Sequence, residues 1–400
     1  MKKLLVLILI VVLSHSAIAA SLNWGGLVSF RERHEVLTEY TDYTQSGEPG
    51  TERYTDCNST TKLGYKLGVK LDLAEHLSAA LTLRSGLRAE QKGSVMWQDI
   101  NNSTGLLPGI QEAYLDWKTP YVEAELGKIP QDGTAMWDLY AAVNQTDERL
   151  YNPTDGIFND RFAALNGARI SVPVDIFHEE ITEYQGYKLP QPVVLSHLSV
   201  TPRAIYHVDK VAGYRRDWAA SEQPDERDLD WYAVFIGAEM NYANPLLDYT
   251  LDADYGMPYR LGDKYIQDDK DSVYAAEMIW GVTNTLKSPL IFNLMMQMSF
   301  GYNWRDSIFT ARFWDYTAAA EFKGFRLTGR YQVGSHEHEF GNYIGSKALN
   351  SAWHVYLNKT VWDLDIQPRV IWFKTDIDQG GLRKQQRALT RYELTMTAKF

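Results

Sequence analysis

Cysteine is almost absent: Cys57 stands alone in 400 residues, so no internal disulfide can form. It also lies too far from the N-terminus to be a lipid-anchor cysteine. Long apolar runs are missing as well. No stretch beyond the N-terminal segment reaches the roughly 18 apolar residues that suggest a membrane-spanning helix. Any residence in a membrane must then be as strands. Positive charge is in deficit, with 40 Lys and Arg against 51 Asp and Glu. No basic patch is interleaved with aromatics, which argues against a nucleic-acid partner. The nine histidines are scattered and no G-x-S-x-G motif occurs, so a serine-hydrolase centre has no support.

What is present begins with an export signal. Lys2 and Lys3 precede the short apolar run Leu4–Leu13, and Ala17-Ile18-Ala19 has the small-x-small pattern of a signal-peptidase site. A signal peptide over 1–19 is predicted, followed by a single domain over 20–400. Cleavage would take the formal charge from −11 to −13, since both lysines leave.

The clearest stretch of the mature chain runs from Thr61 to Arg88. Leu63, Tyr65, Leu67, Val69, Leu71 and Leu73 alternate with Lys62, Gly64, Lys66, Gly68, Lys70 and Asp72. After Ala74-Glu75-His76 the pattern returns, with Ala79, Leu81, Leu83 and Leu87 set against Ser78, Thr82, Arg84 and Arg88. Successive side chains of a strand point to opposite faces, so this is a hairpin with one apolar and one charged face. Its arms, about 12 residues each, exceed the usual strand of about 5–6 and suffice to cross a bilayer at a tilt.

The same alternation continues through GIQEAYLDWK, YVEAELGK, DWYAVFIGAEMNY, DYTLDADYG and LTRYELTMTAKF. In the last of these Tyr392, Leu394, Met396, Ala398 and Phe400 share a face. His34–Thr60, Ala89–Pro108 and Ile129–Asn166 read as long polar connections, and Val174–Gln191 reads as irregular. Short and long connections alternate among about 16 strands, with 18 allowed by the weak region 167–207. That is the pattern of an all-β, up-and-down antiparallel transmembrane barrel. Hydrocarbon offers no water to unpaired backbone groups, so such a sheet must close into a ring. A secreted sandwich or propeller shows alternation too. Long strands, alternation to the last residue and aromatics gathered near strand ends favour the barrel.

The signal peptide, the 61–88 hairpin, the phrase EAYLDW…VEAELGK and terminal Phe400 together resemble a Gram-negative outer-membrane porin. The resemblance implies an inward-folded third external loop, which falls on 129–166. It implies Phe400 as the signal read by barrel-insertion machinery, lipid and lipopolysaccharide as surroundings, and a homotrimer. The implied activity is passive diffusion of small hydrophilic solutes across the outer membrane, without catalysis. A substrate-selective saccharide or polysaccharide channel is the alternative, and an outer-membrane barrel enzyme a weaker one.

With the apolar face on lipid, the charged face lines a channel. Arg31, Arg33, Lys62, Lys66, Lys70, Arg84 and Arg88 near the start, and Arg326, Arg330, Arg369 and Arg391 near the end, become neighbours when the ring closes. They form a predicted basic wall. Opposite it are expected Glu112, Asp116, Glu123 and Glu125, then Glu239, Asp248, Asp252 and Asp254. The constriction loop adds Asp132, Asp138, Asp147, Glu148, Asp155 and Asp160. Opposed charges across a narrow zone orient polar solutes and penalise apolar ones. The simpler expectation is that these charges solvate the inner surface and pair with each other. His336, His338 and Glu339 read as a hydrated loop rather than a metal site, and no cofactor is expected.

Overall fold

The computed structural model describes residues 21–42, 51–85, 98–99, 109–130, 136, 164–211, 229–260, 278–305, 309–338, 346–379 and 384–400. The strands are β1 (Leu22–Asp42), β2 (Thr51–Ala74), β3 (Leu77–Arg84), β4 (Gln98–Asp99), β5 (Gly109–Lys118), β6 (Glu123–Pro130), β7 (Ala164–Ser171), β8 (Val174–Tyr184) and β9 (Tyr187–Val211). They continue as β10 (Leu229–Asn244), β11 (Leu247–Arg260), β12 (Met278–Ser288), β13 (Leu294–Arg305), β14 (Phe309–Phe322), β15 (Phe325–His338), β16 (Ser346–Val361), β17 (Leu364–Gln379) and β18 (Lys384–Lys399).

Each strand pairs antiparallel with its neighbours, and β1 pairs with β18 to close the ring. The register carries β1 onto the chain's last residues: Leu27 faces Lys399, and Phe400 exchanges two backbone hydrogen bonds with Gly26, at 2.9 and 3.0 Å. The barrel has 16 strand positions. The two-residue β4 continues the edge of β2 beyond β3. β7 and β8 occupy one position, because both pair with β9 and the register carries unchanged across Val172-Pro173, from Ser171↔Arg203 to Val174↔Val200.

Alternation decides which face goes where. Along β18, Gln385, Leu389, Arg391, Glu393 and Thr395 are buried, while Tyr392 and Leu394 between them are 50% and 40% exposed. The outward set makes an apolar band that includes Leu81, Leu126, Ile236, Leu327 and Val355. Aromatic rings edge it: Trp280, Phe300, Trp314, Tyr316, Tyr331 and Trp353 form a chain of neighbouring rings across β12–β16. At the short-turn rim, Trp24 lies 6.1 Å from Phe400. An apolar band between aromatic edges on a closed barrel is the surface of a membrane-spanning protein. No described helix is long and apolar enough to cross a membrane.

Two local expectations are corrected. The polar stretch 34–60 is largely strand: β1 and β2 pair from Leu22↔Leu71 up to Asp42↔Thr51. Residues 53–59 are exposed on both faces, so water satisfies both sides and alternation vanishes. The stretch 174–191 is also strand. β8 and the first half of β9 form a hairpin turning at Gln185 and Gly186, whose φ values of 50° and 82° suit a type I′ turn. β10 joins β9 only from His197 upward, and β6 joins β7 only down to Ser171. The hairpin therefore projects past the short-turn rim as a two-stranded arm, roughly 30 Å long at about 3.3 Å per residue. Register shifts at Asp175/Phe177, Glu179/Glu180 and Ile181/Glu183 erase its period of two. At its base the rings of His178 and His197 meet edge-on at 5.2 Å.

Candidate functional site: the ionised interior of the barrel

The interior face is built from charged residues on strands joined by the ring closure. Glu393 on β18 is central. Its carboxylate lies 3.0 Å from Arg33 Nε, 3.7 Å from Arg31 Nε, 3.6 Å from Arg391 Nε and 4.0 Å from Arg369 Nη1. Glu35 adds a second carboxylate, 2.5 Å from Arg391 Nε and 3.4 Å from Arg33 Nη1. Arg391 and Glu393 are both 1% exposed at the side chain. Further round, Arg330 Nε donates to both oxygens of Asp315 at 2.9 Å. Arg369 Nη2 donates to His354 Nδ1 at 2.5 Å, which places any ring hydrogen on Nε2. Glu39 accepts from Arg387 Nε at 3.0 Å.

The lysines of β2 behave differently. Lys66 and Lys70 reach over the inner face of β3 to Glu112 and Asp116 on β5, at 3.8 and 3.6 Å. Thr82 of the intervening strand donates to Glu112 at 2.8 Å. These two carboxylates thus lie beside the lysines, two strands away, rather than across the lumen. Arg84 is buried and Arg326 is the register partner of Glu321. Lys62 stands opposite Arg31 in register, but its side chain, like the whole of Arg88, lies outside the described residues.

On the other side Glu125 receives Arg169 at 2.5 Å, and Glu123 pairs with Lys118 at the rim. Arg203 of β9 reaches across β10 to clasp Asp252 and Asp254 of β11, with Arg203 Nε 3.0 Å from Asp254 Oδ1. The intervening residue is Gly237, paired with Arg203 on one side and Asp254 on the other. A Cβ there would lie 2.2 Å from Asp254 Oδ1, so the clasp exists because that position has no side chain. Glu239 accepts from Asn241, and Asp248 is the register partner of Lys287.

Counting inward residues from the short-turn rim, ionised groups come first and apolar ones follow. Arg203 precedes Ile205 on β9, Glu239 precedes Phe235 on β10, Asp315 precedes Phe313 on β14, and Arg369 precedes Ile371 and Phe373 on β17. Ile205, Phe235 and Phe313 are at most 1% exposed, and so is Ile129 on β6. Together they make an apolar collar inside the barrel. Asp132, Asp138, Asp147, Glu148, Asp155 and Asp160 all lie outside the described residues. Between Pro130 and Ala164 only Met136 is described, and it is completely buried.

Sequence reading did not assign the partners that set the balance, above all Glu35, Glu393, Asp315, Arg169 and Arg203. Glu393 alternates with the apolar face of the last strand, but Glu35 fell in the stretch read as a polar connection and Arg169 and Arg203 in the weak region 167–207; the partners of all five depend on registers that alternation does not supply. No group of three or more His, Cys, Asp or Glu side chains among the described residues is arranged to hold a metal.

No family model matches the chain, and no curated protein is similar to it in sequence. Among solved structures it is similar to the outer-membrane channel DcaP of Acinetobacter baumannii, at 12% identity and TM-score 0.47, over 96% of this chain and 99% of that one. It is similar to Pseudomonas putida OprB at 10% identity and TM-score 0.49, over 94% of each chain. An anion-selective porin from Comamonas acidovorans gives 13% identity and TM-score 0.44, over 95% of this chain and 100% of that one. The solved structures that the chain resembles are mostly porins of Gram-negative outer membranes.

Proposed function

We propose that the chain is an outer-membrane channel for passive diffusion of small hydrophilic solutes and ions. The observation that carries this reading is the inner wall itself. A closed ring with an apolar outer band turns its ionised side chains inward, away from lipid, and those of Lys66 and Lys70, 38% and 51% exposed, stay open to water or solute. Arginines dominate one side, around Glu393, and carboxylates the other, around Arg203. A solute between them experiences a transverse field that favours dipolar and charged molecules. The chain reaches the membrane by cleavage of 1–19, with Phe400 offered to barrel-insertion machinery, and it assembles as a homotrimer in lipid and lipopolysaccharide.

The constriction is formed by 129–166 folding inward. Ile129 and Met136 are buried, and the collar formed with Ile205, Phe235 and Phe313 supplies the apolar seat such a loop needs. Planar-bilayer conductance tests both parts. Full-length protein should pass current, and deletion of Gly133–Asp155 should raise it. Absence of current from both forms would overturn the channel reading, and equal currents would overturn the inward loop.

A selective channel for anionic solutes is the second reading, favoured by four guanidiniums gathered within 4.0 Å of one carboxylate. It predicts current that small carboxylates or phosphates block and sugars leave unchanged.

A further inference from the structure

The projecting hairpin, residues 174–196, is the part of the wall that other strands do not flank. Among the described residues β8 pairs with β9 alone, and β10 joins β9 only above the arm. The arm leaves the barrel on the short-turn side, which the proposed membrane placement makes periplasmic. It is wet on both faces yet far from wholly polar: Ile176, Phe177 and Tyr187 are 55%, 43% and 78% exposed. A two-stranded ribbon standing in water is marginally stable by itself and gains most from a third strand.

Its two edges are built differently. Along β9 the edge is blunted by Lys188, by Pro190 and Pro192, which have no N–H to donate, and by surplus residues at the Ile181/Glu183 register shift. Along β8, VDIFHEEITEY holds no proline and no lysine. Residues 177–181 each have a partner on β9, and the residue left over there is Leu195, on the β9 side. That run of β8 is therefore extended, with every second N–H and C=O turned to the open edge.

The charge of the arm says what can lie against that edge. Asp175, Glu179, Glu180 and Glu183 stand against one lysine, Lys188. Asp175 meets His197 at 2.9 Å and Glu180 meets His178 at 3.2 Å, yet both carboxylates remain open to water, at 74% and 42% exposed. A second copy's arm laid alongside would set carboxylate against carboxylate, and anionic headgroups would be repelled likewise. We propose that the free edge of β8 takes up an extended, cationic segment of a periplasmic protein as a third strand. Backbone hydrogen bonds to 177–181 hold the segment, as strand addition to an open edge requires. Glu179 and Glu180 are consecutive and so point to opposite faces, giving cations on either face of the segment a carboxylate to meet. Its apolar side chains cover Phe177. The inference rests on the outer-membrane placement in the proposed function, and not on conduction.

The test uses the full-length chain in phosphatidylcholine nanodiscs and, as probe, a fluorescent nonapeptide of alternating lysine and valine. Alternate amides of a strand point to opposite edges, so N-methylation of the valines blocks one edge and N-methylation of the lysines the other. Fluorescence anisotropy should show one methylated form binding as the unmethylated peptide does, and the other not binding. Equal behaviour of the two forms overturns strand addition, since attraction by charge alone ignores the edge. The triple variant Glu179→Gln, Glu180→Gln, Glu183→Gln should weaken the unmethylated peptide about eightfold, at roughly twofold per exposed charge pair. Equal affinity in that variant and the parent chain overturns the site. Glu75→Gln, on another short turn, should bind as the parent chain does. Replacing 176–196 by Asn-Gly should abolish binding and leave the oligomeric state unchanged. Loss of the oligomer would give the edge to a second copy and overturn the proposal. Heat-modifiable electrophoretic mobility checks that each variant is folded, and conductance should be the same in all of them. A parent chain that binds the peptide without conducting overturns the channel and leaves the arm standing.

Discussion

The two charged centres of the barrel interior are inverse images of each other. Around Glu393, one carboxylate is shared by Arg31, Arg33, Arg369 and Arg391. Around Arg203, one guanidinium is shared by Asp252 and Asp254. Both turn on a group of minority sign, nearly excluded from water: Glu393, with Glu35 beside it, in the one, and Arg203 in the other. They differ in what the majority can do when that ion is lost. A carboxyl group can take up a proton and become neutral, whereas a guanidinium remains charged at any pH that leaves the protein folded. The arginine centre has no chemical escape beyond moving apart or recruiting water and anions.

The largest effect should follow from Glu393→Gln. Removing one partner of a buried ion network leaves uncompensated charge and costs about 3–5 kcal/mol. Urea unfolding in lipid vesicles, followed by tryptophan fluorescence, should show that loss against the parent. Chloride or phosphate should restore part of it by occupying the vacated place. A change below about 1 kcal/mol would mean that the four arginines are already compensated by water and Glu35.

Arg203→Leu should cost less, about 2 kcal/mol at neutral pH, because the paired aspartates can share a proton once the cation is gone. The sign with pH follows. The penalty belongs to the doubly ionised pair, so it is full at high pH and shrinks as the medium becomes acidic. Unfolding midpoints of parent and variant should therefore converge on acidification. Diverging midpoints would break the contrast between the two centres.

Both centres show what alternation can and cannot reveal. The parity of Arg31, Arg33, Arg369 and Arg391 is legible because apolar neighbours mark the other face, and ring closure alone makes the first and last strands adjacent. That Glu393 faces Arg33 is a matter of register between residues 360 positions apart, fixed by pairing across the closure. The collar was hidden for a related reason. At Ile371-Trp372-Phe373 both faces are apolar, one toward lipid and one inward, and a run apolar on both faces carries no alternation to read. The projecting hairpin failed in the opposite way. Water on both faces, three register shifts and Pro190 and Pro192 left no period at all. The merging of β7 with β8, which settles the barrel at 16 positions, depends on that segment.

The smallest effect sharpens the comparison most. Gly237→Ala adds one methyl group 2.2 Å from Asp254 Oδ1 and 3.1 Å from Arg203 Nε, between the two halves of the clasp. Overpacking at a single site costs about 1–3 kcal/mol, and the flexible Arg203 end can yield, so the lower figure is expected. If the cost is the clasp and not the backbone, the change should be redundant in a chain that already lacks Arg203. The double variant Gly237→Ala, Arg203→Leu should then be no less stable than Arg203→Leu alone. Strict additivity would place the cost in the collision with Ala253 O, at 2.6 Å, and the glycine would be serving the strand rather than the ion pair. The arginine centre has no matching glycine to test: Arg33 and Glu393 are directly paired in register on adjacent strands, with nothing between them.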